Sequence, residues 1–348
     1  MNKLIFGPEI WQLQKVGGIS RYFSELIPRL LEISNQLFKI EVWADGKDNA
    51  LLAKMKSDVP VVKPNWSTVL KHDMYHQTFF NAKNVKLAKN HGAKTINTLY
   101  DMVPEKLELE SKLTFRFGQK RQSLKFTDNL ICISNTTKMD FESLTNFRIP
   151  TRVIHLGTSS LRNAIDVKLP NFHYFVYVGN RHNYKNFSLL LDAAKLLKES
   201  QSFGIIAIGG EEFSSDELLS INTLAPEITV VRLLCEDRQL WTIMRESIAL
   251  IVTSRYEGFS LPILDALSDG ISVLCSDIPV HRELYSGCVT QFDPDQAFTL
   301  AQVMRGMLEN PEEFQVSKNC RQYFTQNFTW KSCAEQHIKT YIEIANGP

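Results

Sequence analysis

The stretch Ala249-Leu-Ile-Val-Thr-Ser-Arg-Tyr-Glu-Gly-Phe-Ser-Leu-Pro-Ile-Leu-Asp-Ala-Leu-Ser-Asp-Gly-Ile-Ser-Val-Leu-Cys-Ser-Asp277 reads as strand, loop, helix, turn, strand. Ala249 to Thr253 is a short apolar run rich in branched side chains, the pattern of a buried strand. Gly258 permits a tight chain path where a side chain would obstruct. Pro262 fits the first helical position, where its missing N–H costs nothing. The N–H groups of Phe259, Ser260 and Leu261 then point out of the helix start into a site that favours anions. Glu257, just outside the helix, is placed to accept hydroxyl hydrogen bonds. Asp265, about one turn in, is expected on the rim of the same crevice. Together they suit a ligand carrying both sugar hydroxyls and phosphates. Acidic residues also favour helix first turns for dipole reasons alone, and that reading stands beside the functional one for either carboxylate.

Outward from this stretch, strand-like apolar runs alternate with amphipathic segments, which implies parallel sheets covered by helices. Expected strands in the first half are Lys3–Phe6, Phe38–Trp43, Met74–His76, Thr95–Leu99, Asn129–Ile133 and Arg152–Ile154. A second series runs Tyr174–Val178, Phe203–Ile208, Thr229–Leu233, Ile248–Val252 and Ser272–Cys275. A chain of 348 residues has room for two domains. The polar segment Leu161–Phe172 reads as a linker, giving an α/β organisation of two doubly wound, Rossmann-like domains, 1–166 and 167–328, with 329–348 as a C-terminal helix. Ala334, Ile338, Tyr341 and Ile342 fall on one face of that helix. Ligands of such sheets bind beyond the carboxyl ends of the strands.

No apolar run reaches the ~20 residues of a membrane span, and the N-terminus lacks a signal-peptide layout. None of the six cysteines forms a Cys-x-x-Cys pair. Cys132 and Cys275 lie in apolar runs and read as buried thiols of a reducing cytoplasm. Residues 1–166 hold 24 Lys+Arg against 16 Asp+Glu, net +8, and the remainder is net −7. Such asymmetry can mark a half that meets anionic partners, or scattered surface charge. Lys112, Arg116, Lys120, Arg121 and Lys125 with Leu113, Phe117 and Leu124 suit a basic amphipathic helix on an anionic membrane surface. A helix packed on its own domain is the alternative.

Other candidate elements sit at strand ends. Gly179 closes a strand, and Arg181 and Lys185 follow it. Two cations four apart suit a diphosphate, Arg as a fork and Lys as a point charge. Gly17 and Gly18 precede a helix and let backbone approach a ligand. This is not G-x-G-x-x-G, and no Walker lysine follows, so dinucleotide and P-loop readings lack support. His76 and Asp101 end first-domain strands and face the ligand side by topology. A structural, hydrogen-bonded His76 is the alternative. Metal binding is not expected, because there is no His-x-x-x-His helix pair and no dense acidic cluster. Nor does a nucleic-acid-binding module appear.

In this order, Gly17-Gly18, Tyr100-Asp101-Met, Val178-Gly-Asn-Arg181 with Lys185-Asn, and Glu257-Gly-Phe-Ser-Leu-Pro-Ile-Leu-Asp265, the chain resembles the retaining family-4 glycosyltransferases of GT-B fold. Bacterial enzymes of O-antigen, lipopolysaccharide, capsule and exopolysaccharide synthesis are the nearest in character. The resemblance implies an N-terminal acceptor domain and a C-terminal nucleotide-sugar domain facing across a cleft, with the last helix crossing back to the first domain. It implies that Arg181 and Lys185 bind the donor diphosphate. Glu257 would contact the donor sugar, the Gly258–Leu261 amides would approach sugar and phosphate, and Asp265 would hold the ribose. Gly17 and Gly18 would border the diphosphate, and backbone near Leu233 and Leu234 the base. Two departures stand out: Asp265 occupies a position usually held by Glu, and Tyr100 one often held by His, for which His76 is a candidate substitute.

The expectation is a cytoplasmic, peripheral, metal-independent, retaining glycosyltransferase with no cofactor. Its partners would be a nucleotide-sugar donor, with mannose among the candidates, and a saccharide or polyprenyl-diphosphate-linked saccharide acceptor. The alternatives are another GT-B enzyme, an epimerase or phosphorylase, or a non-catalytic scaffold of a polysaccharide-assembly complex.

Overall fold

The computed structural model describes residues 2–14, 17–34, 37–45, 52, 55, 59–107, 114–158, 165, 167–181, 183–197 and 202–347. They divide into two compact units. The first comprises residues up to Gly157 together with Phe328 onward, and the second runs from Thr158 to Asn327. The sequence placed these breaks at 166/167 and 328/329.

The first unit is built on a seven-stranded sheet of order β3-β2-β1-β4-β5-β6-β7. Its strands are β1 Lys3–Phe6, β2 Lys39–Trp43, β3 Val61–Val62, β4 Met74–Gln77, β5 Lys94–Leu99, β6 Asn129–Cys132 and β7 Thr151–Val153. The second carries a six-stranded sheet of order β10-β9-β8-β11-β12-β13. Here β8 is Tyr174–Val178, β9 Phe203–Ile208, β10 Ile228–Leu233, β11 Ala249–Val252, β12 Val273–Ser276 and β13 Thr290–Phe292. Every neighbouring pair in both sheets is parallel. The central strands are buried on both faces, β9 along its whole length, which is why they read as unbroken apolar runs.

Both sheets wind outward from their first strand in two directions. In the second unit β8 pairs with β9 on one side and β11 on the other. The chain therefore reverses direction across the sheet between β8 and β11, and the loops leaving these two strands open a crevice at their carboxyl ends. The core beneath packs Phe187, Leu190, Leu191, Ala194 and Met304 on Phe175, Ile205 and Ile251.

The helix Trp330–Asn346 belongs to the first unit and packs on the helix Gly18–Ile33. Its buried face is Trp330, Cys333, Ala334, His337, Ile338, Thr340, Tyr341 and Ile344. Ile342, expected on that face, is only partly buried, and Ile344 takes its place. The chain enters this helix directly over Gly157, where a Cβ would lie 2.2 Å from the Trp330 nitrogen. Only glycine permits that approach.

Among the described residues no helix is long and apolar enough to cross a membrane. A Cys288–Cys320 disulfide ties the turn after the helix Pro279–Tyr285 to the helix Lys318–Asn327. No local pattern marks this pairing, since the two cysteines are 32 residues apart. Cys132 and Cys275 are buried free thiols, and burial pushes the Cys132 thiol up to about 12.

Candidate functional site

The β8 and β11 loops meet at the switch point of the second sheet. Gly179, at φ +119°, turns the chain out of β8 with open space where a Cβ would sit. Asn183 and Asn186 adopt left-handed backbone around a short 3-10 turn that carries Lys185. This loop is clamped to the β11 loop: Arg255 N donates to Tyr184 O at 2.7 Å, and Thr253 Oγ1 to Lys185 O at 2.8 Å. From below, Tyr177 Oη donates to Asn180 O at 2.8 Å.

The clamp brings two of the expected side chains together. Lys185 Nζ lies 2.6 Å from Glu257 Oε1, and Ser254 Oγ donates to the same oxygen at 2.6 Å. Burial by itself would raise the Glu257 carboxyl. The Lys185 ammonium beside it, that cation's hydrogen bond and the Ser254 hydroxyl outweigh burial and hold it below its ordinary value. Glu257 is therefore an anion with one oxygen engaged by the protein. Both side chains keep some exposure, 26% for Lys185 and 14% for Glu257, so the pair is sealed beneath but open above.

The helix Leu261–Asp269 starts beside this pair, with Pro262 in its first turn. Its N-cap residue, Ser260, is left-handed at φ 69° and makes no side-chain cap. That backbone state costs a non-glycine residue roughly 1–2 kcal/mol. Ser260 Oγ instead bonds His281 Nε2 at 2.8 Å, and His281 Nδ1 lies 2.8 Å from Ser276 O. Tyr285 Oη donates to Phe259 O at 2.8 Å and to Ser260 O at 3.2 Å. Ser254, His281 and Tyr285 escaped the sequence reading, since no spacing links Ser260 to a helix 21 residues later.

Asp265 is not on a rim. It has no exposed surface, and its Oδ1 accepts from Thr158 Oγ1 at 2.9 Å. Its neighbours Ile263, Leu264, Ala266 and Leu267 are all fully buried, so this turn of the helix is enclosed on every side. Arg181 also departs from expectation. Its side chain is 1% exposed, and Nε donates to Glu217 Oε1 at 2.9 Å. Nη1 donates to Gly209 O at 3.2 Å, and Nη2 to Glu211 O at 2.5 Å and Glu212 O at 3.0 Å. The guanidinium lies 4.7 Å from the Phe213 ring centroid. Expected as a diphosphate fork, Arg181 in the structure ties the β8 loop to the β9 loop through these contacts. Leu233 ends β10 half-buried, and Leu234 beyond it is 70% exposed.

In the first unit, His76 is corrected from candidate acid or base to core residue. It is fully buried, with Nδ1 2.7 Å from Tyr341 Oη and Nε2 2.8 Å from Thr98 Oγ1. Burial, with His337 nearby, drives its pKa well below the usual histidine value. Asp101 is half-buried, and its Oδ1 accepts from Val103 N at 3.1 Å, turning the chain into the helix Val103–Lys106. Tyr100 Oη donates to Thr78 O at 2.9 Å. Gly18 opens onto free space, whereas a Cβ on Gly17 would strike the Gln14 amide 2.2 Å away.

The basic helix is also reassigned in part. Lys120 is buried, donating to Asp101 O at 3.0 Å and to Glu105 Oε2 at 2.8 Å. Arg121 and Lys125 are exposed. Lys112 and the Arg116 side chain lie outside the described residues. Among the described residues no group of three or more His, Cys, Asp or Glu is arranged to hold a metal ion.

Comparison with known proteins bears on this geometry. Residues 164–326, almost all of them in the second unit, match the family model "Glycosyl transferases group 1". The chain is 26% identical over 174 residues to O-antigen chain mannosyltransferase B of Escherichia coli, covering 48% of this chain and 45% of that one. It is 24% identical over 207 residues to the O-antigen chain mannosyltransferase RfbU of Salmonella typhimurium, covering 58% and 56%. It thus spans about half the length of these curated relatives. Among solved structures, HepE of Anabaena in complex with UDP-glucose aligns with TM-score 0.77 and 16% identity over 99% of this chain and 100% of that one. Sucrose-phosphate synthase of Thermosynechococcus elongatus aligns with TM-score 0.75 and 15% identity over 99% of both chains. The fold is GT-B.

Proposed function

We propose that this chain is a retaining, metal-independent glycosyltransferase of cell-surface polysaccharide synthesis. It moves a sugar, with mannose the leading candidate, from a nucleotide-diphosphate sugar to a saccharide or polyprenyl-diphosphate-linked acceptor. The observation that carries this reading is the Lys185–Glu257 pair at the switch point of the second sheet, beside the start of the helix Leu261–Asp269. The glycosyltransferase group 1 match over residues 164–326 and the partial likeness to O-antigen mannosyltransferases support it. The donor class is supported by HepE, whose structure holds UDP-glucose.

The chemistry follows from the pair. Lys185 is a cation on a short turn, poised to accept the charge that develops on a leaving diphosphate. The helix start adds backbone dipole of the same sign. Glu257 is held as an anion, so its free oxygen accepts from a sugar hydroxyl and never donates. One carboxylate binding hydroxyls and one ammonium binding phosphate make opposite demands, and their mutual ion pair keeps both charged before the donor arrives. In this reading Lys185 carries alone the cationic role first shared with Arg181. Asp265 supports the helix from behind. Metal independence rests on Lys185 standing where a divalent cation would otherwise neutralise the diphosphate. The front-face attack implied by retention rests on the family resemblance.

A thermal-shift series with UDP, GDP, ADP and dTDP tests the donor site. At least one nucleotide should raise the melting temperature of the wild type and not of Lys185→Ala. No shift with any of the four sinks the reading. Transfer abolished by EDTA and restored by Mg²⁺ or Mn²⁺ would sink the metal-free part alone.

A further inference from the structure

We propose that His281 is a positioning residue for the donor loop, acting through Ser260 to hold the start of the helix Leu261–Asp269 in a left-handed turn. This rests on the donor-site reading above and adds to it a residue outside the loop.

The proton positions follow from the partners. Ser276 O can only accept, so His281 Nδ1, 2.8 Å away, carries the hydrogen. In a neutral ring Nε2 is then an acceptor, and the hydrogen bond at 2.8 Å runs from Ser260 Oγ–H to His281. Burial keeps this ring neutral, outweighing the Ser276 carbonyl and the Glu257 charge that favour the cation. A serine at a helix N-cap ordinarily turns its hydroxyl onto the backbone amides of the first turn. At this helix it does not, and the serine is one of four non-glycine residues with positive φ among those described. The hydroxyl is taken by His281 instead, and with it the residue is pinned at φ 69°. Tyr285, from the same short helix as His281, takes the carbonyls of Phe259 and Ser260 from the same side. The loop is thus tied down through its carbonyls and its hydroxyl.

Glycine reaches left-handed backbone without a tether. The consequence is a specific epistasis. His281→Ala should weaken binding of the best of UDP, GDP, ADP and dTDP about tenfold, and adding Ser260→Gly should bring it back to within about threefold of wild type. His281→Gln, which keeps a donor and an acceptor, should lose less than His281→Ala. Isothermal titration reads the affinities, and circular dichroism confirms that each variant is folded. In parallel, 15N-labelled histidine in the nucleotide-free wild type should show a Nδ1–H tautomer at His281, with the Nε2 signal moving in Ser260→Ala. A folded His281→Ala that binds as wild type overturns the proposal. So does a loss that Ser260→Gly fails to repair, since His281 would then be only a core residue. An Nε2 signal unmoved by Ser260→Ala overturns the tether itself. Should the wild type bind none of the four nucleotides while the tautomer and its Ser260 dependence hold, the donor-site reading falls and the assignment to a donor loop falls with it.

Discussion

Glu257 Oε1 receives two donors at 2.6 Å, the Lys185 ammonium and the Ser254 hydroxyl, from opposite sides of the β8–β11 switch point. Removing the ammonium leaves a largely buried carboxylate with one weaker partner. Lys185→Ala should therefore abolish donor-dependent transfer while the fold survives. A well-folded variant with wild-type turnover would remove Lys185 from the site.

The same pair sets a pH dependence with a definite sign. Glu257's carboxyl is held below its ordinary value in the folded state. Its stabilisation is present above the unfolded carboxylate pKa and is lost as pH falls through the folded one. Lys185→Ala should cost about 1–2 kcal/mol near pH 7. That difference should shrink toward zero in acid, once Glu257 is protonated in both proteins. Urea unfolding at several pH values measures it, and a difference constant down to the acid limit would contradict the assignment.

Arg181→Met should act on stability first. Breaking a buried pair leaves Glu217 without its cation, at a cost of about 3 kcal/mol. Chemical denaturation should show it. Full stability with nucleotide binding lost would restore the diphosphate role expected from the sequence.

Asp265→Glu, which matches the family's usual residue, should destabilise rather than improve the enzyme. Asp265 has no exposed surface. An added methylene in a filled site costs about 1–3 kcal/mol. A variant of unchanged melting temperature and tighter nucleotide binding would reverse this.

The first unit should soften in mild acid. Burial lowers His337 from 6.5 to about 4, against a hydrogen bond to the Cys333 carbonyl that raises it. A histidine with a lowered folded pKa leaves the unfolded chain binding more protons between those values. Stability is thus full above about 6.5 and falls as pH drops toward 4, by at most about 1.4 kcal/mol per pH unit for this residue. Replacing His337 with Phe should flatten the acid limb of a plot of unfolding free energy against pH. An unchanged limb would assign it to other groups.

How far the chain could be read in advance depended on the range of each interaction. Strands such as Phe203–Ile208, buried on both faces, announced themselves as apolar runs. Val61–Val62 and Thr290–Phe292, at sheet edges and only two or three residues long, carried no such pattern. Glu257 and Lys185 were visible because each stands next to its own strand end, and the parallel sheet brings those ends together. The burial of Arg181 was not legible locally because it is decided by Glu217, 36 residues away, and by the Phe213 ring. The two readings of His76 could not be separated for the same reason, since Tyr341 meets it across 265 residues. Charge and position relative to a strand are local properties of a sequence. Whether a charge is already spoken for is not.

The division of the first unit into two sequence segments imposes an order on biosynthesis. Residues 158–327 form an uninterrupted block and emerge from the ribosome with all their own partners. The earlier segment cannot complete its core until the helix Trp330–Asn346 has been made, because Tyr22 and His76 wait for His337 and Tyr341. A nascent chain halted before that helix would carry a mature second unit and an open first one. Loss of the last turns would injure the end of the protein synthesised first.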